Sequence, residues 1–118
     1  MRNVTLLDNV AANTQQVSDA LNLERRTDWE LIIESNSLDG TPQLFIERGF
    51  NAGKCNPEPS EWQVLQSGCN EAGYFPIDDS VIQILKDGFT ANWFRVRVEA
   101  EDNTTGNITV TIHYKDYP

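Results

Sequence analysis

The sequence is poor in the residues that do chemistry. It has a single histidine, His113, and two cysteines, Cys55 and Cys69, among 118 residues. It contains no Gly-x-Ser-x-Gly elbow, no His-Glu-x-x-His pair and no glycine-rich phosphate loop, so the usual hydrolase, zincin and nucleotide signatures are missing. Two cysteines are too few for a disulfide scaffold and lack the Cys-x-x-Cys spacing of a zinc site. A single bond between Cys55 and Cys69 stays open beside a pair of reduced thiols. If formed, it would close a loop of about 15 residues and contribute about 3 kcal/mol on the loop-entropy account.

Long apolar runs are absent as well. No stretch approaches the roughly 18 residues of a spanning helix, and the opening from Met1 to Asp8 lacks the apolar centre of a signal peptide. Synthesis and folding in a cytoplasm are therefore expected. Positive charge is scarce: nine Lys and Arg stand against eighteen Asp and Glu, a net charge of −9. Such a field repels phosphate backbones and anionic lipid, so neither nucleic acid nor a membrane surface is an expected partner. Amphipathic helical periodicity is lacking too.

What the chain does have is strand periodicity. Phe94, Val96 and Val98 alternate with Arg95, Arg97 and Glu99, and Ile108, Val110 and Ile112 alternate with Thr109, Thr111 and His113. This predicts a long antiparallel hairpin from Asn92 to Tyr114 with one apolar face. A hairpin of that kind is not stable alone in water and needs a second layer over its apolar side.

The remaining chain supplies candidates for that layer. Trp29, Leu31 and Ile33 share a face in the strand from Asp28 to Ser35. After the turn formers Asn36 to Gly40, the run from Pro42 to Phe50 alternates again, predicting a second hairpin. Asn51 to Ser60, with Pro57 and Pro59, reads as a loop. Short strands are expected at Trp62 to Leu65 and Tyr74 to Ile77, and a longer one at Ser80 to Leu85, while Val17 to Leu23 fits a strand or a short helix. The expectation is an all-β, single-domain antiparallel β-sandwich, jelly-roll or immunoglobulin-like, with about seven to nine strands. Residues 1–14, rich in Asn and Asp, suit an N-terminal arm or edge strand, and residues 15–118 form the sandwich.

Candidate sites are few. His113 falls on the polar face of its strand, the place of a solvated sheet residue more than of a general base. The acidic pairs Asp78-Asp79 and Glu101-Asp102 are adjacent in sequence and so point to opposite sides of an extended chain, which does not make a glycosidase pair. Gathered at one end of a sandwich, those four could still ligate calcium, although solvated turns are the commoner use of such residues. Trp29 shares its face with Leu31 and Ile33 and reads as core. Trp62 and Trp93 are better placed to stack on a sugar or a protein, and Trp93 lies on the side of Arg95 and Arg97. The sequons at Asn3, Asn103 and Asn107 have no route to a glycosylating compartment in a cytoplasmic product and fit chance. No catalytic group, cofactor or metal site is assigned.

Val4 to Asn13, Ser18 to Leu23, Trp29-Glu30-Leu31 ahead of Asp39-Gly40, Leu44 to Glu47, Trp62 to Leu65, and Phe94 to Val98 form one layout along the chain. It resembles that of the small β-sandwich virion proteins of tailed bacteriophages, among them head decoration (auxiliary capsid) proteins and head fibres. The segment from Asn51 to Ser60 is longer than the short Asp-Gly-Gly turn found there in that group. The resemblance implies a non-enzymatic structural role on the capsid exterior of a virion made in a host cytoplasm. Its partner would be the major capsid protein, bound as a homotrimer over a quasi-threefold axis. Contact is then expected through Val4, Leu6 and Leu7 of the arm and through Trp93, Arg95 and Arg97 of a sheet face. A carbohydrate-binding module on a fibre or appendage is the alternative, with Trp62 and Trp93 on the glycan.

Overall fold

The computed structural model describes residues 2–23, 29–49, 61–64, 73–79, 82–87 and 93–114. Cys55 and Cys69 lie outside them, and so does the question of their bond. The described residues form two antiparallel sheets packed as a β-sandwich. The strands are β1 (Arg2–Ala11), β2 (Gln16–Val17), β3 (Leu21–Asn22), β4 (Trp29–Asn36), β5 (Gln43–Gly49), β6 (Gln63–Val64), β7 (Phe75–Pro76), β8 (Ile82–Asp87), β9 (Trp93–Glu99) and β10 (Asn107–Tyr114). The first sheet runs β1-β10-β4-β8. In the second, β2 and β3 follow one another along one edge of β9, the other edge of β9 pairs with β5, and β6 and β7 lie along the far edge of β5.

This topology corrects both expected hairpins. β9 and β10 are consecutive in the chain but belong to different sheets, as do β4 and β5. In each pair the connection crosses the sandwich. The reason lies in the pattern itself: both members of each pair carry an apolar face that must be buried, and placing them in opposite layers buries one against the other. Val96 and Val98 of β9 and Leu44 and Ile46 of β5 thereby meet Leu31, Ile33, Val110 and Ile112 of the first sheet in one core. Trp29 and Phe94 join the layers directly, with ring centroids 5.0 Å apart and planes at 62°, the edge-to-face arrangement favoured by the ring quadrupoles. Trp29 is core, as its alternation implies.

The two crossings, residues 37–42 and 100–106, lie side by side and are locked by one side chain. Asn103 is 2% exposed. Its Oδ1 accepts from the backbone N–H groups of Asp39 and Gly40, both at 3.0 Å. Its Nδ2 donates to the carbonyls of Ala12 at 2.9 Å and Thr105 at 2.7 Å. Two acceptor and two donor contacts use the amide fully. Gly106 closes the second crossing at φ +90°, where a Cβ would stand 2.3 Å from the carbonyl oxygen of Asn36. Only glycine fits there.

β1 is an edge strand, paired with β10 from Arg2↔Tyr114 to Ala11↔Asn107. Register shifts between Thr5 and Leu7 and between Leu7 and Val10 interrupt the ladder, and Asn9 takes φ 50°. The first shift lets the neighbours Leu6 and Leu7 both reach the core, which strict alternation would forbid. Val17 to Leu23 is two short strand pieces, β2 and β3. Between them Ser18, 7% exposed, keeps contact with β9 by donating its N–H to the Val96 carbonyl and accepting the Val96 N–H on Oγ.

Candidate functional site

The outward side of the second sheet is unlike any other described surface. Strand alternation sends Phe94, Val96 and Val98 inward and leaves Trp93, Arg95, Arg97 and Glu99 outward on β9. The β5 register sets Phe45 opposite Arg97, Glu47 opposite Arg95 and Gly49 opposite Trp93. β6 brings Val64 opposite Glu47, with Trp62 one pleat away on the same side. Tyr74, just before β7, packs its ring 5.9 Å from that of Phe45. Val17 of β2, opposite Arg97, is 44% exposed.

Glu47 organises this surface. It is 6% exposed although it sits on the outer side. A buried carboxylate needs charged partners, and it has two: Nε of Arg95 at 3.1 Å and Nε of Arg97 at 3.6 Å. Arg97 also donates through Nη1 to Glu99, which accepts from Gln15 Nε2 at 2.8 Å. The guanidinium carbon of Arg95 lies 4.3 Å from the Trp62 ring centroid, and that of Arg97 lies 4.1 Å from the Phe45 centroid. Each cation is held between a carboxylate edge and an aromatic face, so both planes are fixed before anything binds. Trp93 is half-buried, and its indole N–H is enclosed without a hydrogen-bond partner among the described residues.

The remaining candidates have local roles. Val4, Leu6 and Leu7, expected on a partner, pack against the protein's own core, with Leu7 only 5% exposed. The edge strand holds them by its ladder to β10; Leu7 is buried, while Val4 and Leu6 are half-buried and keep part of their apolar surface accessible. Trp93, Arg95 and Arg97 do share one outward face. His113 lies on the outer side of the first sheet, its Nδ1 3.8 Å from Oε1 of Glu30, its cross-strand neighbour.

The acidic turns do come to one end of the sandwich, but Asp79 and Asp102 each spend a carboxylate oxygen on backbone. Oδ1 of Asp79 accepts the Leu38 N–H at 2.7 Å, and Oδ1 of Asp102 accepts the Thr41 N–H at 3.1 Å. Among the described residues no group of three or more histidine, cysteine or acidic side chains could hold a metal ion. Asp39, close by, accepts from the Thr104 hydroxyl and from the Thr104 N–H at 2.7 Å, and these bonds hold its carboxyl below the ordinary aspartate value. Asn103 is buried, while Asn3 and Asn107 are exposed.

Glu47, Phe45 and Tyr74 did not stand out in the sequence. A cue existed: Leu44 and Ile46 alternate with Phe45 and Glu47, placing an aromatic and an acid outward. That the acid meets Arg95 and Arg97 follows only from the β5–β9 register.

Comparison with known proteins finds no matching family model, no matching curated protein and no matching solved structure.

Proposed function

We propose that this is a non-enzymatic structural protein of a bacteriophage virion, a capsid decoration protein that binds the outer shell by protein–protein contact and stabilises it. The observation that carries the binding reading is the outer face of the second sheet. There Trp62, Trp93, Phe45 and Tyr74 gather around two guanidinium groups fixed by a buried carboxylate. Aromatic residues and arginine are the side chains that dominate protein–protein binding energy, and preorganised ones lose least entropy on docking. Leu7 is buried in the core, and the half-buried Val4 and Leu6 of the edge strand add a second, smaller contact to this face.

The partner is the major capsid protein, and the working unit is a homotrimer on the capsid exterior after synthesis in the host cytoplasm. A protein that binds the assembled shell but not its free subunits lowers the free energy of the shell by mass action. Several copies around a symmetry axis add avidity to weak single contacts. The net charge of −9 keeps the protein from competing for the packaged genome.

Cryo-electron microscopy of the source virion tests the reading. Density for a two-sheet body on the outside of the head, with the β9 face toward the shell, supports it; a head without this chain overturns it. The glycan alternative has the nearness of Trp62 to the Trp93 face in its favour, but Arg95 already covers one side of Trp62. Glycan-array binding that disappears in Trp93→Ala or Trp62→Ala would establish that alternative instead.

A further inference from the structure

Arg95 and Arg97 are tied on one side and open on the other. Nε of Arg95 faces Glu47, and among the described residues its two Nη groups, with four N–H donors, have no acceptor. Arg97 uses Nε toward Glu47 and Nη1 toward Glu99, which leaves Nη2 without one among the described residues. The two side chains are about 26% and 23% exposed, so these donors reach solvent. Around Arg95 the balance is two guanidinium groups to one buried carboxylate, with Glu99 at the rim. Counting Glu99, which pairs with Arg97, the cluster is locally neutral on a chain whose total is −9, and what it offers a ligand is its open guanidinium donors.

Two residues apart on one strand, the guanidinium groups are spaced by roughly 7 Å at the backbone. Each plane is backed by a ring and can rotate little. Open, coplanar Nη donors match the two oxygens of a carboxylate, which accepts a parallel pair of charge-assisted bonds. Beside them the exposed Val17 and the half-buried Trp93 offer apolar surface.

We infer that this face reads an acidic side chain: Arg95 and Arg97 form a fork for an Asp or Glu carboxylate of the docked protein, whose apolar neighbours seat against Val17 and Trp93. The inference rests on the docking role proposed above and names the chemistry of that partner. An extensively acidic partner would be repelled by the rest of the molecule. The matching surface is therefore an isolated carboxylate in an apolar setting.

The test is a titration of the full-length, isotope-labelled protein with the acetylated, amidated peptide Leu-Glu-Leu and its glutamine counterpart Leu-Gln-Leu, followed by NMR at the arginine Nε–H and tryptophan indole resonances. The glutamate peptide is expected to shift Arg95, Arg97 and Trp62 saturably, with the glutamine peptide about tenfold weaker, as losing charge-assisted bonds implies. In Arg95→Lys, which keeps the charge but loses the fork, the preference for glutamate is expected to shrink severalfold, with what remains set by charge alone. The peptide comparison on the unaltered protein stands even if that variant folds poorly. Equal response to both peptides, or no saturable response to either, overturns the inference. Its failure is distinct from failure of the docking role: the fork can be absent from a protein that still decorates the head, and can be present in one that does not.

Discussion

Asn103 is the residue on which the sandwich end depends most. Asn103→Ala removes four hydrogen bonds and leaves two backbone N–H groups and two carbonyls without partners at a site 2% exposed. At about 1 kcal/mol per neutral bond, less what water recovers, the expected loss is about 2–4 kcal/mol, measured by urea unfolding. Asn103→Asp is expected to do no better, because it sets an acceptor against the carbonyls of Ala12 and Thr105.

Asp39 adds a pH dependence of known sign. Its folded pKa is depressed from 3.8, chiefly by the Thr104 hydroxyl and then by the Thr104 N–H. Its contribution is thus full above the unfolded value and is lost as pH falls through the folded one. Thr104→Val is expected to be less stable than the parent at pH 6, with the difference shrinking as the pH drops below 3.8. Parallel urea titrations across the acid range would check it, and a difference that stayed constant with pH would contradict it.

Among the elements, β1 separates an arm from a structural strand. An arm can be cut away at little cost, whereas Leu7 is core and Val4 and Leu6 pack on it. Fully burying a side chain such as Leu7 is worth roughly 1.5–3 kcal/mol, with smaller gains from the half-buried Val4 and Leu6, together a large share of the roughly 5–15 kcal/mol that holds a domain together. Deleting residues 1–8 is expected to leave a chain with no cooperative thermal transition, by circular dichroism or calorimetry. A truncated protein that melts near the parent Tm would show β1 to be dispensable.

The elements also show what the sequence could and could not reveal. β4, β5, β9 and β10 were legible because alternation reports which residues face inward. Their pairing was not, because alternation is the same whether the next strand lies beside the first or across the core. The polar connections 37–42 and 100–106 are long enough for either. The candidate face was half legible for the same reason: Trp93, Arg95 and Arg97 had to share a side of one strand. Glu47, 48 residues from Arg95, joins them only through sheet pairing, which no local pattern encodes.

On the scale of the whole molecule, charge is unevenly spread. The exposed acids Glu34, Asp39, Asp78, Asp79, Glu101 and Asp102 gather at the end where the crossings lie, and no lysine or arginine occurs there among the described residues. Such crowding of one sign opposes compaction and is relieved by counterions. Raising sodium chloride from about 10 to about 300 mM, which shortens the screening length from roughly 30 to below 10 Å, is expected to raise Tm. A flat or falling Tm would mean that the end is neutralised in another way.

The pairing of Arg2 with Tyr114 places the two ends of the described chain on neighbouring strands that run in opposite directions. Tension applied between those ends would open the β1–β10 ladder one rung at a time, like a zip, instead of loading all its bonds together in shear. The protein should therefore yield to a weak pull applied between residues 2 and 114, and optical-tweezer handles attached there should record low rupture forces. A load that enters through the flat of the second sheet meets no such seam.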